Sequence, residues 1–185
     1  SSMGPATVAA LRAMAPSLRL DVHLGVAHQA AVAEQVAAAL GGVGRVTLQW
    51  EALAADGAAA AEALARRLGA TGCAVGVCVA PSTPVEEVAP LLEAGVVDLV
   101  DVLAVEPGWG GQPFQPAMLD KVRWLRAHYP RLEHIMLDGG INAETARAAA
   151  AAGANVLVAG SYLFGSDDMA SSFDALEDAL LTHGE

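Results

Sequence analysis

Short apolar runs alternate with alanine-rich stretches of helical length along all 185 residues, and this alternation limits the folds open to the chain. Strands are predicted at Leu20–Val26, Arg45–Trp50, Ala74–Val79, Leu99–Ala104, His134–Asp138 and Asn155–Ala159. Helices are predicted at Pro5–Met14, Ala30–Leu40, Ala58–Leu68, Pro84–Glu93, Pro116–His128, Ala143–Ala151 and Phe173–Leu181. Strands alternating with helices of this length signal parallel βαβ units. Several boundaries carry a mechanism. Thr83-Pro84 with Glu86 reads as an N-cap, a first-turn proline and a capping box. Asn142 with Glu144-Thr145 starts another helix, and Gly69, Gly95 and Gly153 are placed to end helices. Ala94-Gly95 before VVDLV and Ala152-Gly153 before ANVLV echo each other, which favours a repetitive α/β barrel. No G-x-G-x-x-G follows an early strand, so a Rossmann fold lacks its fingerprint. The expectation is one domain over residues 4–183: an α/β, TIM-barrel-like fold of about six parallel strands, incomplete at its N-terminus against the eight of a closed barrel.

A net charge of −11 argues against nucleic acid or an anionic membrane as partner, while backbone N–H groups still accommodate a phosphorylated metabolite. Val96–Val105 is interrupted by Asp98 and Asp101, and no apolar run reaches membrane-spanning length. No secretory-type leader is evident; Ser1-Ser2-Met3 reads as the join to a removed segment, so the expected location is cytoplasmic, or an organelle after loss of a transit segment. Cys73 and Cys78 are five apart, which places them on opposite faces of a strand and argues for two packed thiols.

Asp138 is the strongest candidate for chemistry: a carboxylate ending an apolar strand, before Gly139-Gly140, where barrel active sites lie. His23 shares a strand face with Asp21 and offers an imidazole to a metal; a core histidine is the alternative. Val105–Phe114, with Gly108, Gly110 and Gly111, is too long for a minimal turn and suits a closing loop. Gly139-Gly140 and Gly160-Ser161 follow successive strands and offer convergent N–H groups to a phosphate, with the Ser161 hydroxyl as a further donor. Asp101 shares a face with Leu99 and Leu103. Facing inward it needs a partner; facing a crossover helix it reaches solvent near an edge. His28, His128, His134 and His183 have no motif around them. Lys121, the only lysine, falls in a helix and not at a strand end, which disfavours a Schiff-base aldolase.

Taken together, DVHLGV (Asp21–Val26), VTLQWEA (Val46–Ala52), VAPSTPVEEV (Val79–Val88), VEPGWGGQPF (Val105–Phe114), LDGGIN (Leu137–Asn142) and VAGSYLF (Val158–Phe164) resemble ribulose-phosphate 3-epimerases, in the family's order and across roughly residues 4 to 168. The resemblance implies a TIM barrel that interconverts D-ribulose 5-phosphate and D-xylulose 5-phosphate with a divalent metal (zinc, iron or manganese). It implies His23 and Asp138 as metal ligands and Asp138 as an acid/base. It implies Gly139, Gly140, Gly160 and Ser161 as the phosphate cradle, and Gly108–Gly111 as the closing loop. The chain departs from the pattern. It reads as starting after the strand that carries the family's other histidine and aspartate. Gly25, Gln49 and Leu103 replace a methionine, a histidine and a methionine, and Asp101 replaces an apolar residue. Epimerisation needs a carboxylate on each face of the enediolate, and Asp138 supplies one. Two ligands are too few to hold a metal tightly without help. Two readings follow. One is an epimerase whose second half-site is supplied from elsewhere. The other is an impaired paralogue acting as a sugar-phosphate-binding, assembly or regulatory protein. Exposed strand edges imply a homo-oligomer or a covering partner.

Overall fold

The computed structural model describes residues 3–182; Ser1, Ser2 and residues 183–185, with His183 the last residue of the expected domain, lie outside the described residues. Six strands are found among them: β1 (Asp21–Leu24), β2 (Arg45–Gln49), β3 (Ala74–Val79), β4 (Leu99–Leu103), β5 (His134–Asp138) and β6 (Val156–Val158). Eight α-helices separate and flank them: α1 (Pro5–Met14), α2 (Gln29–Leu40), α3 (Ala58–Gly69), α4 (Ala89–Glu93), α5 (Met118–His128), α6 (Ala143–Ala152), α7 (Gly160–Phe164) and α8 (Met169–Leu181). The strands form one six-stranded sheet in chain order, β1 to β6, the order of a TIM-like (β/α) repeat with fewer than eight strands. The chain divides into two compact units, one comprising residues through Cys78 with Glu86–Leu99, the other Val79–Val85 with Val100 onward.

In the first unit, β1, β2 and β3 are parallel, with Val22, Val46 and Val75 in register and Leu24, Leu48 and Val77 two residues on. These residues share one face of the pleat. Helices α2 and α3 bury Ala33, Val36, Ala37, Leu40 and Ala61, Leu64, Ala65, Leu68, the spacing of one helical stripe. Leu40, Leu48 and Leu68 are almost wholly buried, each contributing about 1.5–3 kcal/mol of transfer free energy. The opposite face is polar. Arg45, only 5 % exposed, donates from Nε and Nη2 to the two oxygens of Asp98 and from Nη1 to Asp21, all at 3.1 Å. Thr47 donates to the other Asp21 oxygen at 2.9 Å. Burial disfavours the guanidinium charge, but the hydrogen bonds to Asp98 and Asp21 and their charges outweigh it and raise its pKa above the ordinary value. Gly76 lies between these side chains: a Cβ there would stand 2.8 Å from Thr47 Oγ1, 2.9 Å from Leu99 Cδ2 and 3.3 Å from Arg45 Cδ.

In the second unit, β5 and β6 are parallel, with Asp138 opposite Val158. Asn155 clamps this edge, accepting from Ile135 N at 2.8 Å and donating to Glu133 O at 2.8 Å. Helix α6 begins with a capping box: the Asn142 side chain accepts from Glu144 N and Thr145 N, and Thr145 accepts from Asn142 N. It ends on Gly153 at φ 109, as the sequence suggests. Lys121 donates to three carbonyls, Ala80 at 2.8 Å, Pro81 at 2.9 Å and Thr83 at 2.6 Å. The ammonium thus organises the turn after β3.

The predicted elements are present, with differences at their ends. The helix expected over Pro84–Glu93 is a 3₁₀ turn, Val85–Val88, followed by α4, which has Val88 at its N-cap position and no side-chain cap. Pro90 in the first turn of α4 explains the late start, because it removes a donor only tolerable there. Gly69 remains helical, and Gly72 at φ 90 makes the left-handed turn instead. Helix α8 starts four residues before the expected Phe173 because Asp168 caps it, accepting from Ser171 N. Hydrogen bonds from the Ser171 side chain and backbone hold the Asp168 carboxyl below its ordinary pKa. Neither cysteine forms a disulfide, and both are buried.

Replacing Arg45 with leucine should cost about 3 kcal/mol in urea unfolding, the low end for breaking a buried pair, because both aspartates keep some solvent. Arg45→Lys should recover part of this loss, since a single ammonium cannot reproduce the two-oxygen contact with Asp98.

Candidate functional site

The polar face of the first unit is built around Gln49, a residue the sequence presents only as a departure from a pattern. Gln29, the first residue of α2 and 1 % exposed, donates from its amide to Gln49 O at 2.7 Å and accepts from Gln49 N at 2.8 Å. A side chain thereby completes the backbone pairing at the end of β2. His28, in a left-handed conformation at φ 55, is the N-cap residue that precedes it. The Gln49 amide nitrogen donates to Glu51, and its Oε1 meets His23 Nε2 at 2.7 Å. A carbonyl oxygen only accepts, so His23 Nε2 carries the proton and Nδ1 holds the lone pair of the neutral ring. His23 is exposed, which favours an accessible imidazole over the core alternative. Cys78, buried on β3 in register with Gln49, places its Sγ within 4.8 Å of a ring nitrogen of His23. Imidazole and thiol are ligand types suited to zinc, iron and cobalt, so the pair fits two positions of a transition-metal site. The strict alternation of strand faces flagged the cysteines as unable to share a site with each other, but gave no sign that Cys78 meets His23.

In the second unit, Asp138 ends β5 half-buried, and its carbonyl accepts from Ala104 N at 2.6 Å. Gly139 at φ 113 and Gly140 at φ 64 follow at once. A Cβ on Gly139 would stand 2.6 Å from Val105 Cγ2, and one on Gly140 2.6 Å from Phe114 N. The glycine pair therefore lets the end of β5 close against both ends of the Val105–Phe114 loop. Gln112 staples that loop internally, donating to Glu106 O at 2.7 Å and Trp109 O at 2.9 Å. Gly108, Gly110 and Gly111 are exposed along it, and Trp109 is 71 % exposed and anchors nothing. Phe114 is half-buried against Gly140 and does anchor it. Gly160 and Ser161 form the exposed first turn of α7, a helix where a loop was expected. Asp101 is 1 % exposed and shares Leu99's face of β4, the face on which Leu99 reaches Gly76; it does not reach solvent beside a helix. His128 stacks on Trp124 at 4.3 Å between ring centroids, and His134 lies 3.4 Å from Glu133, both structural placements.

The sequence pattern of the "Ribulose-phosphate 3 epimerase family" matches residues 1–164. The chain belongs to that family. Among curated relatives, the rice protein "Ribulose-phosphate 3-epimerase, cytoplasmic isoform" is 48 % identical over 118 residues, covering 63 % of this chain and 51 % of its own length. "Ribulose-phosphate 3-epimerase" of Schizosaccharomyces pombe is 43 % identical over 110 residues, covering 60 % of this chain and 47 % of its own. The chain thus spans about half the length of the curated relatives it matches. Among solved structures, 3-keto-L-gulonate-6-phosphate decarboxylase from Vibrio cholerae superposes with a TM-score of 0.74 at 17 % identity, over 97 % of this chain and 79 % of that one. 3-Hexulose-6-phosphate synthase from Salmonella typhimurium gives 0.72 at 20 % identity, over 97 % and 81 %. At these identities the likeness establishes the shared fold.

Within the ribulose-phosphate 3-epimerase family fold, Gln49, one of the residues that depart from the pattern, is locally well supported. Gln49 is held by Gln29 and Glu51 and bonds His23. The glycine positions divide into two kinds. Gly140 is required by packing, whereas a Cβ on Gly160 would meet nothing within 4 Å. Gly140→Ala should lose at least about 1 kcal/mol, from positive φ and overlap with Phe114, and should speed proteolysis within Val105–Phe114. Gly160→Ala should leave unfolding and proteolysis unchanged.

Proposed function

We propose that residues 4–183 act as a single ribulose-phosphate-binding domain that interconverts D-ribulose 5-phosphate and D-xylulose 5-phosphate by proton transfer at C3. The observation that carries this reading is the half-buried Asp138 carboxylate at the C-terminal end of β5, set directly before a glycine turn that packs on the Val105–Phe114 loop. The names of the family and of its curated relatives support the substrate. Asp138 takes the C3 proton from one face of the sugar, leaving an enediolate, and a second carboxylate, from a half-site supplied from elsewhere, delivers a proton to the other face. Gly139, Gly140, Gly160 and Ser161 hold the phosphate through N–H groups and the Ser161 hydroxyl, and Gly108, Gly110 and Gly111 give the covering loop its freedom. His23 and Asp138 are each proposed as a ligand to a divalent metal, which would supply charge stabilisation to the enediolate oxygens. The rice relative's name supports a cytoplasmic location.

Incubation of the purified chain with D-ribulose 5-phosphate in deuterated water tests this reading. Deuterium should enter at C3, and Asp138→Asn should slow its entry by about 10²–10⁴-fold, the usual worth of a positioned acid/base. No exchange by the wild-type chain would overturn the catalytic reading.

One observation favours a second reading, a sugar-phosphate-binding paralogue with impaired catalysis. Gln49 meets His23 where the family pattern has a histidine, and an amide, unlike an imidazole, cannot exchange a proton there. Phosphosugar binding without C3 exchange, measured by calorimetry, identifies that case.

The strands at the two ends of the sheet order, β1 and β6, are edges that a partner or a second copy is proposed to cover. Residues 3–20 carry Arg12 and Arg19 and no acid, with Met14 and Leu18 exposed at 81 % and 56 %. Residues 158–181 expose Phe164 and Phe173 beside Asp167, Asp168, Asp174, Glu177 and Asp178. Opposite charge around two apolar patches supports association of like chains. Such an assembly should weaken as salt rises through the range that screens surface charge, which light scattering reads directly.

A further inference from the structure

We infer that Cys78 is a metal ligand of this chain, giving its metal site a sulfur donor beside the His23 imidazole. The inference rests on the proposed metal dependence and deepens it. Three observations carry it. The first is distance. Metal–nitrogen and metal–sulfur bonds of about 2.1 and 2.3 Å, set tetrahedrally, separate the two donors by about 3.6 Å. Sγ of Cys78 and a ring nitrogen of His23 already lie within 4.8 Å, so a side-chain adjustment of about 1 Å or a little more brings both onto one ion. The second is placement. Cys78 is in register with Gln49, and His23 with Thr47, so Cys78 and His23 share one face of the first unit's sheet. Valines on either side of Cys78, Val77 and Val79, are fully buried and fix the strand. The third is orientation. Gln49 Oε1 accepts from His23 Nε2, the Gln49 side-chain amide donates to Glu51, and Gln29 holds the Gln49 backbone. A ligating histidine characteristically donates its other N–H to such an acceptor, which sets the tautomer and ring plane. Here that bond leaves Nδ1 as the lone pair. Gln49 is thus a positioning residue for an imidazole ligand, and the cysteine is the second donor beside it.

Ligation proceeds with loss of the thiol proton to water as the sulfur–metal bond forms, so one proton leaves for each ion bound. A soft thiolate with an imidazole shifts preference toward zinc and cobalt and away from manganese. Cys73 takes no part: its thiol donates to Ala37 O at 3.6 Å, against α2.

Cobalt(II) titration of the metal-stripped full chain tests the assignment. The wild-type chain should bind one cobalt ion and develop the near-ultraviolet charge-transfer band of a cobalt–thiolate bond. Cys73→Ala should keep the band and the affinity. Cys78→Ala should lose the band and weaken cobalt binding by more than about 100-fold, beyond the ~10–100-fold that loss of an outer partner costs. Gln49→Ala should weaken binding within that smaller range and keep the band. Circular dichroism of Cys78→Ala and Cys78→Ser establishes that the fold survives; band loss in either folded variant supports the assignment equally. Cobalt bound without the band, or a band that persists in Cys78→Ala, overturns Cys78 ligation and leaves the proposed metal dependence standing. No cobalt bound at all overturns both.

Discussion

The buried guanidinium of Arg45 organises the first unit's polar sheet face. Its position in β2 is fixed by a backbone bond from Arg45 N to Leu20 O at 2.9 Å, and its side chain holds Asp98 with two hydrogen bonds and Asp21 with one. A lone charge at this depth costs several kcal/mol, and two aspartates offset that cost without making the arrangement better than an apolar core of the same volume. What the charges add is specificity. Asp21 is in register opposite Arg45 on β1, and Asp98 lies where its own N–H pairs with Val75 O on β3. A slip of one residue in any of these strands would turn a charged side chain toward the packed helices. Gly76 belongs to the same device, since a side chain there would occupy the space of Thr47, Leu99 and Arg45.

That fixed register sets the placement of chemistry one step further along each strand. His23 follows Asp21 by two residues, Gln49 follows Arg45 by four, and Cys78 follows Gly76 by two, all with the same face parity. The Gln29 clamp on both backbone groups of Gln49 then ties the end of β2 to the start of α2. A similar solution recurs in the second unit, where Asn155 clamps the start of β5. In both places a side-chain amide replaces a backbone partner, satisfying a donor and an acceptor together. Two loops are held by other side chains. Lys121 gathers three carbonyls after β3, and Gln112 takes two within Val105–Phe114.

The strand and helix order was legible because parallel βαβ units write their periodicity into the sequence, and Asn142 announced its helix through a capping box that the structure contains. Helix ends were less legible where several small or turn-forming residues competed: Gly72, not Gly69, makes the turn after α3, and Asp168 moved the start of α8. Gly160-Ser161 looked like a loop because a five-residue helix has too little periodicity to register. Arg45, Gln29 and Lys121 carried no local signal. Each is a polar residue whose partners are far along the chain, up to 53 residues for Arg45 and Asp98. Cys78 was hidden for the same reason. Its alternation with Cys73 was readable, but its proximity to His23 depends on two strand registers at once.

The substitutions around His23 take on a different meaning in this light. Replacing a histidine by glutamine removes an imidazole beside His23, and read alone it suggests decay of the site. Yet Gln49 is among the most constrained side chains of the first unit, held through its backbone by a buried glutamine and through its amide by Glu51. A residue drifting free of function has no physical reason to be fixed from both ends with its oxygen aimed at an imidazole N–H. An amide acceptor at 2.7 Å does what a carboxylate or carbonyl behind a ligating histidine does: it takes the ring's other N–H and fixes the ring. With a thiol within 4.8 Å of the same ring, the first unit presents two donors and one orienting acceptor.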